Sequence, residues 1–239
     1  MAALLASALA AQLVVFAASS LRDAFEELGR QFEAAHSSVD VVFNFAGSHE
    51  LRTQIEHGAG ADVFASADEA QLRALERAGL VGPPRVFARN EPVIAVPAGN
   101  PQRIRGLQDL PRAERIVLGV PEVPIGAYAS RILDSAARLY GADFRRSVEA
   151  RVVSRELNVR QVLAKVRLGE AGAAIVYRTD ALAARDSVEA ISIPREVNVL
   201  AEYPIATLRG AHDAGLALAF VEFVCSPAAR AVLSRFGFQ

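Results

Sequence analysis

Short apolar runs alternate along this chain with segments of helical period. Residues 12–17, 39–45, 62–66, 93–97, 116–120, 151–154, 173–177 and 203–208 read as strands. Between them, Leu21, Ala24, Phe25, Leu28 and Phe32 fall on one helical face. Leu72, Leu75 and Ala78 repeat that spacing, as do Val162, Leu163 and Val166. Residues 213–239 read as two helices with no strand between them. Near-continuous apolar strands alternating with helices predict an α/β fold of mainly parallel sheets covered on both faces.

The rhythm breaks at 81–84, around Gly82, Pro83 and Pro84, and again over 194–198. We therefore expect two lobes. Residues 11–86 with 208–239 would form the first and 87–207 the second, the two connections acting as a hinge. Residues 1–10 end on Ala8-Leu9-Ala10, a small-x-small pattern like that of a cleaved secretory signal, although a basic leading segment is missing. They are expected to be a signal-peptide remnant. No cysteine near the start could carry a lipid anchor.

Composition acts mainly by exclusion. With 239 residues and 52% of them hydrophobic, the chain can bury a substantial core. Net charge is -1 with 22% charged residues, which favours neither nucleic acid nor an acidic membrane surface. Attraction for an anion would have to be local. The lone cysteine, Cys225, lies beside an apolar run and reads as a small buried hydrophobe.

Candidate chemistry concentrates where strands give way to helices, because a helix N-terminus offers unpaired N–H groups and roughly half a positive charge. Five junctions carry hydroxyl, glycine, amide or phenol groups. Ser20 follows the first strand, and with Asp23 it also fits a capping box. Gly47 and Ser48 follow the second strand; Gly47 would let the backbone approach a ligand closely, while Ser48 could equally serve as an ordinary N-cap. Pro124 lacks an N–H, so Ile125 and Gly126 are the first donors of their helix. Asn158 and Val159 open another helix, and Tyr177 ends a strand. The shared theme is neutral donors at sheet ends, which suits a fully ionised anion. A protonated phosphate would also need an acceptor, and none of these positions supplies a carboxylate directly.

The ordered motifs A-A-S-S-L, F-A-G-S-x-x-L-x-x-Q-I, A-D-V-F-x-S-A-D, P-E-V-P-I-G-A-Y-A, N-V-R-Q-V-L and G-A-A-I-V-Y-R-T-D-A, closing on R-F-G-F, resemble the periplasmic molybdate-binding (ModA-type) proteins of ABC transporters. The resemblance runs from about Val14 to the C-terminus. It implies a two-lobed type II periplasmic-binding-protein fold, each lobe a mainly parallel sheet flanked by helices. It implies a ligand shell of Ser20, Ser48, Ile125, Val159 and Tyr177. Ser20 and Ser48 would give hydroxyl and backbone donors, Ile125 and Val159 backbone N–H groups, and Tyr177 its phenol. Molybdenum would be held as molybdate, with tungstate an alternative, through these residues and with no direct metal ligand. The partners implied are the oxyanion and a membrane permease, with no resident cofactor and no nucleic acid, for a periplasmic monomer. Ser19, His49 and Leu157 depart from the commonest family pattern. His49 is expected along the exposed helix face, and His36, His57 and His212 are expected to be solvated.

Other functions fare worse. His49-Glu50 does not continue into a zinc-binding H-E-x-x-H, since Thr53 stands where histidine is required. Ser48 and His49 lack an acidic orienter, so a catalytic dyad is not expected. Asp62 and Asp68 read as turn and cap residues. Asp180 reads either as support behind the site or as a cap on a helix over 181–185. An oxyanion receptor is the leading reading. Sulfate remains an alternative ligand, and an enzyme on the same fold a more distant alternative.

Overall fold

The computed structural model describes residues 10–239. The expected signal remnant lies outside the described residues except for Ala10, which is exposed. The chain begins with β1 (Ala11–Ala18), α1 (Arg22–Ala35), β2 (Val39–Ala46), α2 (Ser48–Glu56), β3 (Val63–Ala65), α3 (Glu69–Arg77) and β4 (Arg85–Asn90). It crosses to β5 (Pro92–Pro97), β6 (Ile116–Gly119), α4 (Pro124–Tyr140), α5 (Phe144–Glu149), β7 (Val152–Glu156), α6 (Val159–Arg167), β8 (Ala173–Tyr177), α7 (Arg178–Ala183) and β9 (Val188–Ser192). It then returns through β10 (Ala201–Thr207), α8 (Ala214–Val224) and α9 (Pro227–Arg235).

These elements form two five-stranded sheets of order β2-β1-β3-β10-β4 and β7-β6-β8-β5-β9. The two-lobed α/β expectation therefore holds. In the first sheet β1 runs parallel to β2 and β3, and β10 runs antiparallel to β3 and β4. In the second, β6 runs parallel to β7 and β8, and β5 runs antiparallel to β8 and β9. The odd strand in each sheet is the one that has just entered from the other lobe. It starts at the cleft, where the native strands end. The other four strands of each sheet share one direction, and their carboxyl ends face the cleft from either side.

The crossings differ from those expected. β4 and β10 pair with each other in the first sheet, so the chain changes sheets at Glu91 and within 193–200, not at 86/87 and 207/208. β4 and β9 were also not anticipated. Their burial is partial (only one residue of β9 is fully buried), which dilutes the apolar signal that marks β5, β6 and β8.

Central strands are buried on both faces, and α1 lays Ala24, Phe25, Leu28 and Phe32 onto the first sheet. Phe25 and Phe32 pack edge-on against Phe220 of α8, with ring centroids 6.4 and 5.1 Å apart. Asp62 is not a turn residue. Its buried carboxylate accepts from the N–H of Val14 at 2.7 Å and of His212 at 2.7 Å, joining β1 to the segment before α8. His212 is accordingly tied back to Asp62, its Nδ1 at 3.1 Å, although most of its ring is exposed.

Replacing Asp62 with alanine leaves two backbone donors without partners and should lower the unfolding free energy by about 1–3 kcal/mol. Denaturant titration against the unaltered chain checks this, and equal midpoints would show that the joint carries no stability.

Candidate functional site

The carboxyl ends of β1, β2, β3, β6, β7 and β8 meet around one small cavity between the lobes. β1 delivers Ser20, β2 delivers Ser48 and β3 delivers Ala67. From the other side β6 delivers Ile125, β7 delivers Val159 and β8 delivers Tyr177. The five residues expected from sequence therefore come together. The third strand end, with Ala67, was missed because a small apolar residue carries no chemical signal. Ala18, Ala46 and Gly47 complete the near wall. The cavity measures about 20 Å³. That exceeds the roughly 10–15 Å³ a single water needs and falls far below the roughly 300 Å³ typical of organic-ligand pockets. Its lining contains no Asp, Glu, Lys, Arg or His.

Donors can be counted from where each helix ladder starts. The first intrahelical bond of α2 runs from Leu51 N–H to Gly47, that of α4 from Ala127 to Val123, and that of α6 from Val162 to Asn158. The N–H groups of Ser48, Ile125 and Val159 lie upstream of those bonds and need partners from elsewhere. Asn158 caps α6 by accepting from Gln161 N–H at 3.1 Å. Gly126 is required sterically. A Cβ there would sit 2.0 Å from the Val120 carbonyl, so the α4 N-terminus rests directly on the end of β6.

The side-chain donors are oriented by their neighbours. Ser48 is not the N-cap of α2; that position is Gly47, which makes no side-chain bond. Its Oγ accepts from Ala67 N–H at 3.1 Å, leaving the hydroxyl proton to donate. Ser20 does not form the expected capping box with Asp23. It lies in a tight turn over Ser19–Leu21, and its Oγ is 3.0 Å from Tyr203 Oη. Asn90 Nδ2 donates to Tyr203 Oη at 3.5 Å, an arrangement that lets the Tyr203 phenol donate onward to Ser20 and the Ser20 hydroxyl donate into the cavity. Tyr177 Oη is buried and has no hydrogen-bond partner among the described residues. Burial holds its phenol well above the ordinary value, so it remains an O–H donor.

The lobes touch around this cavity. Gly47 approaches the Leu157 carbonyl so closely that a Cβ would lie 2.5 Å from it. Tyr128 Oη donates to the Ala67 carbonyl and Gln71 Nε2 to the Glu122 carbonyl, both at 3.4 Å. His49 does not lie along the exposed face. It is half-buried against Gly47, and burial lowers its pKa, so it supplies no fixed positive charge.

Asp180 sits in the first turn of α7, which begins at Arg178 and not at 181, so it is not a cap. It is fully buried beside Arg160, whose Nε lies 2.9 Å from Oδ1 at an angle off the N–H direction. Burial raises its pKa to about 6, against the opposing pull of Arg160. A carboxylate raised in the folded state binds a proton there before the unfolded chain does. Stability from this group therefore falls as pH rises from about 4 to about 6. Asp180→Asn should remove that part of the slope. Unfolding midpoints of both chains across this window check it, and parallel pH profiles would contradict it.

Residues 13–239 match the family described as bacterial extracellular solute-binding protein. Over 231 residues the chain is 42% identical to the molybdate-binding protein ModA of Mycobacterium tuberculosis, covering 96% of this chain and 85% of that one. The periplasmic molybdate-binding protein of Azotobacter vinelandii superposes with a TM-score of 0.82 at 20% identity, over 95% of this chain and 98% of that one. The sulfate-binding protein SubI of M. tuberculosis superposes at 0.85 with 21% identity, over 95% and 86%. At such identities these two structures speak for the fold and not for the ligand.

Proposed function

This chain belongs to the bacterial extracellular solute-binding protein family, alongside the molybdate-binding ModA proteins, and we propose that it captures molybdate, or the near-isosteric tungstate, and delivers it to an ABC permease. The observation that carries this reading is the cavity, free of charged side chains, in which the donors of Ser20, Ser48, Ile125, Val159 and Tyr177 converge. A tetrahedral dianion offers acceptors in every direction and needs no acceptor in return. Charge-assisted bonds of about 1.5–3 kcal/mol each, offset by dehydration of the ion, stabilise it there without a counter-charge. A protonated phosphate would find no carboxylate there to accept its O–H.

The mechanism is a hinged clamp. One lobe meets the ion with the Ser20 and Ser48 donors. Rotation about the crossings at Glu91 and 193–200 brings the N–H groups of Ile125 and Val159 and the Tyr177 phenol onto its far side. The protein acts as a carrier and not as an enzyme, working without a resident cofactor, as a monomer on the outer side of the inner membrane.

Molybdate and sulfate carry the same charge, so size decides between them. A shell set for the longer metal–oxygen bonds holds sulfate loosely. Thermal shift tests this. Molybdate and tungstate at ~100 times their dissociation constants should each add about 2.7 kcal/mol of stability. A shift with sulfate or phosphate and none with molybdate would overturn the ligand assignment. Ser48→Ala should weaken molybdate binding by roughly ten- to hundredfold, about the worth of one charge-assisted bond, with the ligand-free melting point held within a few degrees. Calorimetric titration showing unchanged affinity would remove Ser48 from the shell.

A further inference from the structure

We propose that Arg160 is a positioning residue, a latch arm that holds the lobes closed over the bound oxyanion without touching it. The inference rests on the clamp reading above. Val159 faces the cavity, but Arg160 lines an adjoining, larger cleft of about 500 Å³ on the far side of Ser20, with Asp23, Thr179, Arg185, Arg235 and Phe238. At its root Arg160 is held within its own lobe by fully buried Asp180. At its tip Nη2 lies 2.5 Å from Oδ2 of Asp23, on α1 of the other lobe. Burial works against the Arg160 charge, and the two carboxylates outweigh it.

Placement gives the pair its role. Asp23 follows the turn that carries Ser20, and Arg160 directly follows Val159. The ion pair therefore joins the two segments that present donors from opposite lobes. Among the described residues it is the ion pair that links the first lobe to the second away from the crossings; Arg178 with Glu91 sits at the crossing itself. The other hydrogen bonds from side chains across the cleft are neutral: those of Tyr128 and Gln71 are long at 3.4 Å, and that of Asn90 Nδ2 to Thr179 Oγ1, at 2.9 Å, sits beside the Glu91 crossing. Because Asp180 already fixes the guanidinium, reaching Asp23 costs little additional side-chain freedom. An open clamp must separate Arg160 from Asp23 before the ion can leave. The latch should therefore act on release and leave capture alone.

Asp23→Asn tests this. It keeps the shape of a half-exposed side chain, removes the charge and leaves Arg160 on Asp180. Molybdate release, followed by tyrosine fluorescence in a chain with no tryptophan, should accelerate about three- to tenfold. Association rate and ligand-free melting point should stay unchanged. Higher ionic strength should speed release from the unaltered chain and have little effect on Asp23→Asn. Arg160→Lys, which keeps the charge, should fall between the two. Equal release rates in Asp23→Asn and the unaltered chain, or a loss confined to association, would overturn the latch. If the unaltered chain takes up no molybdate, the proposed function fails. Release of sulfate, as the oxyanion probe in place of molybdate, then decides the latch alone: faster release from Asp23→Asn supports it, and equal rates overturn it.

Discussion

Removing a doubly charged ion from water is so costly that a protein can hold one in a dry cavity only if every exposed oxygen meets a donor. Helix N-termini meet that demand cheaply, since their first N–H groups lack partners in any case. The arrangement here follows from this. Helices α2, α4 and α6 all start at the cavity. The hydroxyls of Ser20 and Ser48 are each turned outward by a bond to the rest of the protein. A positive side chain would attract any anion. Uncharged donors at fixed spacing discriminate by shape and by protonation state.

Topology makes the convergence possible. Because β5 and β10 enter their sheets from the opposite lobe and run against their neighbours, the remaining strand ends of both sheets point into one cleft. Small residues at those ends let the backbones come close. Gly126 and Gly47 are the clearest cases, since a single added carbon would collide with a carbonyl at each. Behind the cavity the Asn90–Tyr203–Ser20 relay aims one hydroxyl, and the Asp23–Arg160–Asp180 cluster spans the lobes. In the proposed clamp, charge therefore governs closure while the ion meets neutral groups.

Much of this was legible in the sequence because strands buried on both faces and strand-to-helix junctions leave strong local signals. Ser20, Ser48, Ile125, Val159 and Tyr177 could be placed together through junction chemistry and ordered motifs. The partly exposed strands β4 and β9 lacked the apolar run that identifies a strand, so the lobe crossings were displaced with them. Local pattern also misassigned Ser20 and Asp23 as a capping box. Each side chain is instead committed to a distant partner, Tyr203 and Arg160 respectively, and spacing along the chain carries no trace of contacts 183 or 137 residues away. His49 was misplaced for the same reason, since its half-burial is set by the folded packing around Gly47 and leaves no periodic trace in the sequence.

A crystal structure grown with molybdate and phased on the anomalous signal of molybdenum tests the central claim most directly. The account predicts a single strong peak in the cavity between Ser20, Ser48, Ile125, Val159 and Tyr177, with hydroxyl and N–H groups around the four oxygens and no charged side chain in contact. A peak in the arginine-lined cleft beside Arg160, or a cavity closed around no molybdenum, would contradict it.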